Sequence, residues 1–172
     1  SPELVARHVR AAAEAGFRRF YFVDNTFNLP TDYGLRLCRS LAAMAAKVQW
    51  RAIVYPHAVP EELLRAMAEA GCVEVSLGFE SGSPAVLRAM NKRFAPEEVR
   101  AISRSLKAHG IRRLGFLLLG GPGERHGAGL QDITPVGGFE GFVGILLGKQ
   151  DRDSRPLEPV DVHQQGIRVA GA

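Results

Sequence analysis

Cysteine is nearly missing from this chain. Among 172 residues there are only Cys38 and Cys72. Two thiols so far apart in sequence exclude a disulfide framework and fit a reducing compartment, so a cytoplasmic location is expected. Cys38 falls in a helical pattern and Cys72 opens a strand pattern, and both read as buried small hydrophobes. Histidine is sparse as well. His8, His57, His109, His126 and His163 show no metal-ligand spacing, and no Ser-His-Asp or Cys-His pairing can be assigned. No apolar run is long enough to span a bilayer, and no signal peptide is visible. The net charge of +4 is scattered over helix positions of solvent type. A nucleic-acid groove concentrates charge on one face, so nucleic acid is not an expected partner.

What the chain has instead is alternation. Ser1-Pro2-Glu3 reads as a helix start, with a serine cap, a proline in the first turn and an acid at the positive dipole end. Leu4, Val5, Val9 and Ala12 keep helical spacing up to Gly16. Phe17 to Val23 is an aromatic and β-branched run, read as a strand. Thr31 is placed to cap a helix reaching about Ala46, with Leu35, Cys38, Leu41 and Ala42 inward. Strands are then expected at Val48 to Val54, Cys72 to Leu77 and Ile111 to Leu119, with helices beginning at Pro60, Ser83-Pro84 and Pro96. Such alternation implies right-handed βαβ units and a parallel sheet covered on both faces. The spacing of the strands suits either a barrel or a doubly wound sheet.

The polar residues gather where strands end. Asp24-Asn25, Tyr55 to His57, Gly78 to Ser81 and Gly120-Gly121 to Glu124 each follow a strand, and Glu80 and Glu124 stand just past theirs. In a parallel sheet these ends share one rim, and that rim is where α/β proteins bind ligands. Singly, Asp24, Asn25 and Ser81 are also ordinary caps of helices or turns. Four polar strand ends together are hard to explain by packing. The segment Leu118 to Glu124 lets a ligand approach bare backbone through its glycines, but it is neither a P-loop nor a dinucleotide fingerprint. His57 is the one histidine on the expected rim.

Four segments carry a further likeness: FYFVDNTFN, the QWRA strand with AVPEELLRAMAEAGC after it, VSLGFESGSPAVLRAMNKRF, and GIRRLGFLLLGGPGE. Together they resemble the radical S-adenosylmethionine superfamily over Ser1 to about Glu124, notably the branch that often carries a cobalamin-binding domain upstream. The resemblance implies an α/β fold: a partial parallel, TIM-barrel-like (β/α) barrel, incomplete at both ends. It implies a [4Fe–4S] cluster and S-adenosylmethionine at the C-terminal rim, reductive cleavage to a 5′-deoxyadenosyl radical, and methylation, methylthiolation or oxidoreduction of a substrate. Cobalamin and an electron donor such as flavodoxin or ferredoxin follow for the full-length enzyme. By position, Asp24 and Asn25 fall near the methionine amine. Glu80 and Ser81 fall near methionine or ribose. Lys92 matches a basic position for the ligand carboxylate, and a cation suits that group. Gly120, Gly121 and Glu124 match the motif beside adenine.

The chain departs from the family where the cluster is held. No CxxxCxxC loop is present, and Cys38 and Cys72 are wrongly placed to replace it. The expectation is therefore a core fragment over residues 1–124 that is inactive alone, followed by a poorly ordered or atypical tail over 125–172. A catalytically dead βα-barrel serving as a binding or scaffold module is the alternative from another class. An ordinary barrel enzyme acting on a phosphate or sugar would want a phosphate-gripping loop near its last strands, which the sequence does not show.

Overall fold

The computed structural model describes residues 1–119 together with the strands at 142–147 and 167–169. Its elements run α1 (Pro2–Glu14), β1 (Arg19–Phe22), α2 (Thr31–Ala42), β2 (Gln49–Val54), α3 (Glu61–Glu69), β3 (Cys72–Glu80), α4 (Pro84–Ala89), α5 (Pro96–Ala108), β4 (Arg112–Leu119), β5 (Phe142–Leu147) and β6 (Ile167–Val169). All neighbouring strands pair in parallel, in the order β1-β2-β3-β4-β5-β6. That order settles the choice the strand spacing left open. A doubly wound sheet reverses its order at a switch point, whereas this one is wound in a single direction. Where parallel strands are joined by the usual right-handed crossovers, single winding puts the helices on one face, as in a barrel wall.

Local chemistry explains the element ends. The Ser1 side chain accepts from the Leu4 N–H at the start of α1. Gly16, at φ +101°, closes that helix, and the Phe17 N–H donates back to the Ala12 carbonyl at 3.0 Å. The buried stripe of α1 is Ala6, Val9 and Ala13, while Leu4 remains 43% exposed. That helix packs on α2. The cap expected of Thr31 is not made. Pro30 holds the N-cap position, and the Thr31 hydroxyl donates to the Asn28 carbonyl at 3.3 Å instead.

The core lies between the sheet and the helices. Trp50 is its centre, 1% exposed, with Phe22 and Phe27 ring centroids at 5.2 and 4.9 Å. Its indole N–H is satisfied by the Ala70 carbonyl at 2.8 Å. Burial of such a ring stabilises by about 2–3 kcal/mol. Gly71 makes this approach possible: at φ +90°, a Cβ there would stand 2.2 Å from the Val48 carbonyl oxygen. Cys38 and Cys72 are buried in the same core, as their contexts imply.

The strands are not covered equally on both faces. Along β2, Gln49 and Arg51 are exposed while Trp50, Ala52 and Val54 are buried. Register aligns Tyr21, Arg51, Glu74 and Arg112 in one row across β1 to β4, on the face away from Trp50. The expected order of the tail falls mainly outside the described residues. Within it, β5 and β6 continue the parallel ladder from β4.

Candidate functional site

The rim is built where β3 ends, and β3 is longer than its sequence suggests. Gly78 reads as a break, yet pairing with β4 continues to Glu80. Between Leu77 and Glu80 the β3 chain advances three residues while β4 advances from Gly115 to Leu117. This is a β-bulge, a device that re-aims side chains beside functional sites. Glu80 is the last strand residue and adopts φ +66°, a left-handed conformation uncommon outside glycine. Gly78 leaves room for the result, since a Cβ there would lie 3.3 Å from Glu80 Oε1.

A turn follows at once. The Ser81 N–H donates to the Phe79 carbonyl at 2.8 Å, and Ser81 Oγ accepts from the Ser83 N–H at 3.1 Å. Ser83 caps α4 through the Val86 N–H. Ser81 is therefore turned onto local backbone, and it is buried. The helix α4 is short, and Asn91 at φ +54° ends it. The Lys92 N–H donates to the Leu87 carbonyl at 2.9 Å, which completes a Schellman closure.

This closure delivers Lys92 to Glu80. Lys92 Nζ lies 3.3 Å from Glu80 Oε1, with side chains 20% and 18% exposed. The sequence singled out both residues; the fold brings them together. It does not bring Asp24 and Asn25 into that contact. Both are exposed in the loop after β1. Gly120, Gly121 and Glu124 lie outside the described residues.

Two rim residues carry more than the sequence disclosed. Asn28 is 1% exposed, and its side chain grips the main chain of Tyr55 twice. Nδ2 donates to the Tyr55 carbonyl at 3.0 Å, and Oδ1 accepts from the Tyr55 N–H at 2.9 Å. The Tyr55 hydroxyl accepts from the Arg93 N–H at 3.1 Å, and its ring meets Phe94 at 5.3 Å. His57 Nδ1 is 3.1 Å from Glu98 Oε1, while Glu98 Oε2 accepts from the Ala95 N–H at 2.8 Å. The only sequence signal for Tyr55 was an aromatic at a strand end. For Asn28 there was none, because its partner is 27 positions away.

The opposite end of the sheet holds a cavity of about 610 Å³ lined by Arg19, Tyr21, Gln49, Arg51, Glu74 and Arg112. It opens at the strand starts. Glu74 and Glu80 are six residues apart along β3, so it sits roughly 20 Å from the rim. Two of its three arginines share one carboxylate. Glu74 lies 3.7 Å from Arg51 and 3.5 Å from Arg112, and the Arg51 guanidinium stacks 4.8 Å over Tyr21. Parallel α/β proteins bind at strand C-termini, so the Glu80–Lys92 rim is the functional candidate and this row is the floor.

Neither thiol is a metal ligand in waiting. Burial pushes the Cys38 thiol up to about 12. Burial raises that of Cys72 as well, against the lowering effect of its hydrogen bond to the Glu74 carbonyl. Both lie within the hydrophobic core rather than on the strand-end rim. Among the described residues, no group of three His, Cys, Asp or Glu side chains is arranged to hold a metal ion.

Comparison with known proteins bears on the family and the fold. The model of the Radical SAM superfamily matches residues 1–127. An uncharacterized methyltransferase of Pyrococcus horikoshii is 28% identical over 111 residues, which are 64% of this chain and 24% of that protein. Bacteriochlorophyllide d C-12(1)-methyltransferase of Chlorobaculum tepidum is 28% identical over 104 residues, 59% of this chain and 22% of that one. The chain thus spans about a quarter of the length of these relatives. The fold matches the radical S-adenosylmethionine methyltransferase TsrM of Kitasatospora setae, solved with cobalamin and a [4Fe-4S] cluster bound. The TM-score is 0.74 at 21% identity, covering 86% of this chain and 29% of that one. OxsB, a cobalamin-dependent S-adenosylmethionine radical enzyme, superposes with a TM-score of 0.61 at 20% identity, covering 69% of this chain and 19% of that one.

Proposed function

We propose, because the chain belongs to the radical SAM superfamily, that its strand-end rim holds the amino-acid head of S-adenosylmethionine in the service of radical-driven methylation. The observation that carries this reading is the Glu80–Lys92 pair. Opposite charges stand 3.3 Å apart at the C-terminal end of a parallel strand, both largely withdrawn from water. The ligand carries an ammonium and a carboxylate on one carbon. An acid and a base at ion-pair distance match that zwitterion. Lys92 turns from Glu80 to the ligand carboxylate, and Glu80, with Ser81 beside it, is freed for the methionine or ribose. Asp24 and Asn25 serve the methionine amine from the neighbouring loop, and Gly120, Gly121 and Glu124 serve the adenine side.

S-adenosylmethionine, when bound, supplies the methyl group and, on one-electron cleavage, the radical. The residues described here bind and orient it and keep water from its head group. They do not fit the iron–sulfur cluster. Cys38 and Cys72 are buried in the core and are too few to hold one, and no step through a cluster runs on them. On this reading the cluster ligands lie elsewhere in the complete protein, and this chain alone is inactive. The methyltransferase relatives favour methylation over other radical outcomes. The cobalamin bound by similarly folded enzymes supports cobalamin, with a flavodoxin or ferredoxin as reductant, for the whole protein.

Titration of S-adenosylmethionine into the full protein tests the reading. Lys92→Ala removes a charge-assisted bond and is expected to weaken binding about tenfold to hundredfold. Glu80→Gln is expected to weaken it in the same direction, with the circular dichroism spectrum unchanged. Native affinity in both variants would contradict the proposal.

A further inference from the structure

We infer that Tyr55, held by Asn28, is a positioning residue for the ligand site and acts through Lys92 rather than by touching the ligand. The inference rests on the reading of Lys92 given above. Nothing in the sequence links these three residues. The link is a chain of contacts that runs from the loop after β1, through the end of β2, to the loop after α4.

The chain begins with a buried amide. Both ends of the Asn28 side chain are spent on the main chain of Tyr55, at 3.0 and 2.9 Å. Asn28 is 1% exposed, so water does not compete for those bonds. The side chain acts as one more rung of the ladder beyond Val54, the last residue of β2. It fixes where Tyr55 leaves the sheet.

Tyr55 then reaches across to the next layer of loops. Its ring packs edge-on against buried Phe94 at 5.3 Å. Its hydroxyl accepts the Arg93 N–H at 3.1 Å. Arg93 is the residue directly after Lys92. On its other side, Lys92 is fixed by its own N–H on the Leu87 carbonyl at the end of α4. The main chain at Lys92 is therefore held from both sides, by a helix end and by a tyrosine. The His57–Glu98–Ala95 contacts tie the far end of the same loop to the β2 tail.

The physical consequence concerns order rather than charge. A lysine on a loose loop must lose backbone and side-chain freedom when it grips a carboxylate. With the backbone already fixed, that loss is taken at folding, and the ammonium waits on Glu80 at 3.3 Å. Removal of the hydroxyl alone should therefore weaken the ligand without disturbing the core. Tyr55→Phe is the variant that does so, since the ring stays against Phe94.

The experiment is a double-mutant cycle between Tyr55→Phe and Lys92→Ala, read as the dissociation constant for S-adenosylmethionine in the full protein. Amide hydrogen exchange at Arg93 is the second readout. In the native background, Tyr55→Phe is expected to weaken binding about threefold to tenfold and to speed Arg93 exchange. In the Lys92→Ala background it should cause no further loss. The same fold loss in both backgrounds would overturn the inference, because Tyr55 would then act independently of Lys92. Native affinity or unchanged Arg93 exchange in Tyr55→Phe would overturn it too, while leaving the role of Lys92 standing. Native affinity in Lys92→Ala would bring down that role and this inference together.

Discussion

Glu80 shows how a single residue can be held against its own conformational preference. At φ +66° it costs about 1 kcal/mol or more relative to glycine. Its ion pair with Lys92 is partly solvated and contributes only about 0–1 kcal/mol to folding. Stability alone therefore does not account for glutamate here, whereas the proposed ligand contact would. Glu80→Gly relieves the strain and loses the pair, so it should be neutral or stabilising by up to about 1 kcal/mol. Glu80→Ala keeps the strain and loses the pair, so it should be the less stable of the two by about 1 kcal/mol. Both should weaken S-adenosylmethionine. Urea unfolding midpoints for the two variants check this, and equal destabilisation by glycine and alanine would contradict it. The sequence identified Glu80 and Lys92 one at a time. Their contact depends on a bulge and on a left-handed Asn91, neither of which has a signature strong enough to read in advance.

At the scale of elements, the β/α alternation was legible because capping serines, N-terminal prolines and helix-ending glycines mark it plainly. Gly16, Gly71 and Gly110 all take the positive φ that ends a helix. Inward faces were harder to read. Leu4 and Ala12 keep the helical spacing of Val9, yet Leu4 is exposed and the buried positions of α1 include Ala6, Val9 and Ala13. Gly78 hid the last turn of strand β3, since glycine looks like an ending whether or not pairing continues. How the elements join is a matter of charge as well as packing. At the start of α1, backbone hydrogen bonds and then Arg36 and Ser1 hold the Glu3 carboxyl at about 2, below its ordinary 4.5. Between α3 and α5, the Ser105 hydroxyl and then His109, 2.7 Å from Glu61, hold the Glu61 carboxyl below the same ordinary value. In both cases the unfolded chain binds the proton more readily than the folded one. The stability these ties give is present above about pH 4.5 and is lost as pH falls below it, for Glu3 toward about 2. Denaturation midpoints measured over that range should fall for the native protein and fall less steeply for Glu3→Gln/Glu61→Gln. Parallel slopes would show that other carboxylates carry the acid sensitivity.

For the whole molecule, single winding of the sheet decides where function can lie. The order β1 to β6 sends every strand end to one rim and every strand start to the other. The cavity at the starts holds about 610 Å³, yet Glu74 is engaged by Arg51 and Arg112 and the cavity has the character of a floor. The rim is sparser but carries the strained Glu80, the paired Lys92 and the clasp from Asn28 through Tyr55. Winding direction was not legible in the sequence, since spacing between strands is the same for a barrel and for a doubly wound sheet. The clasp was not legible either, because it joins residues of different βα units. The most direct test of the account is a crystal structure of the full protein with S-adenosylmethionine bound. It should show the ligand carboxylate about 2.7–3.2 Å from Lys92 Nζ, with the Glu80 contact exchanged for the ligand. An intact Glu80–Lys92 pair with S-adenosylmethionine bound away from it would contradict the account.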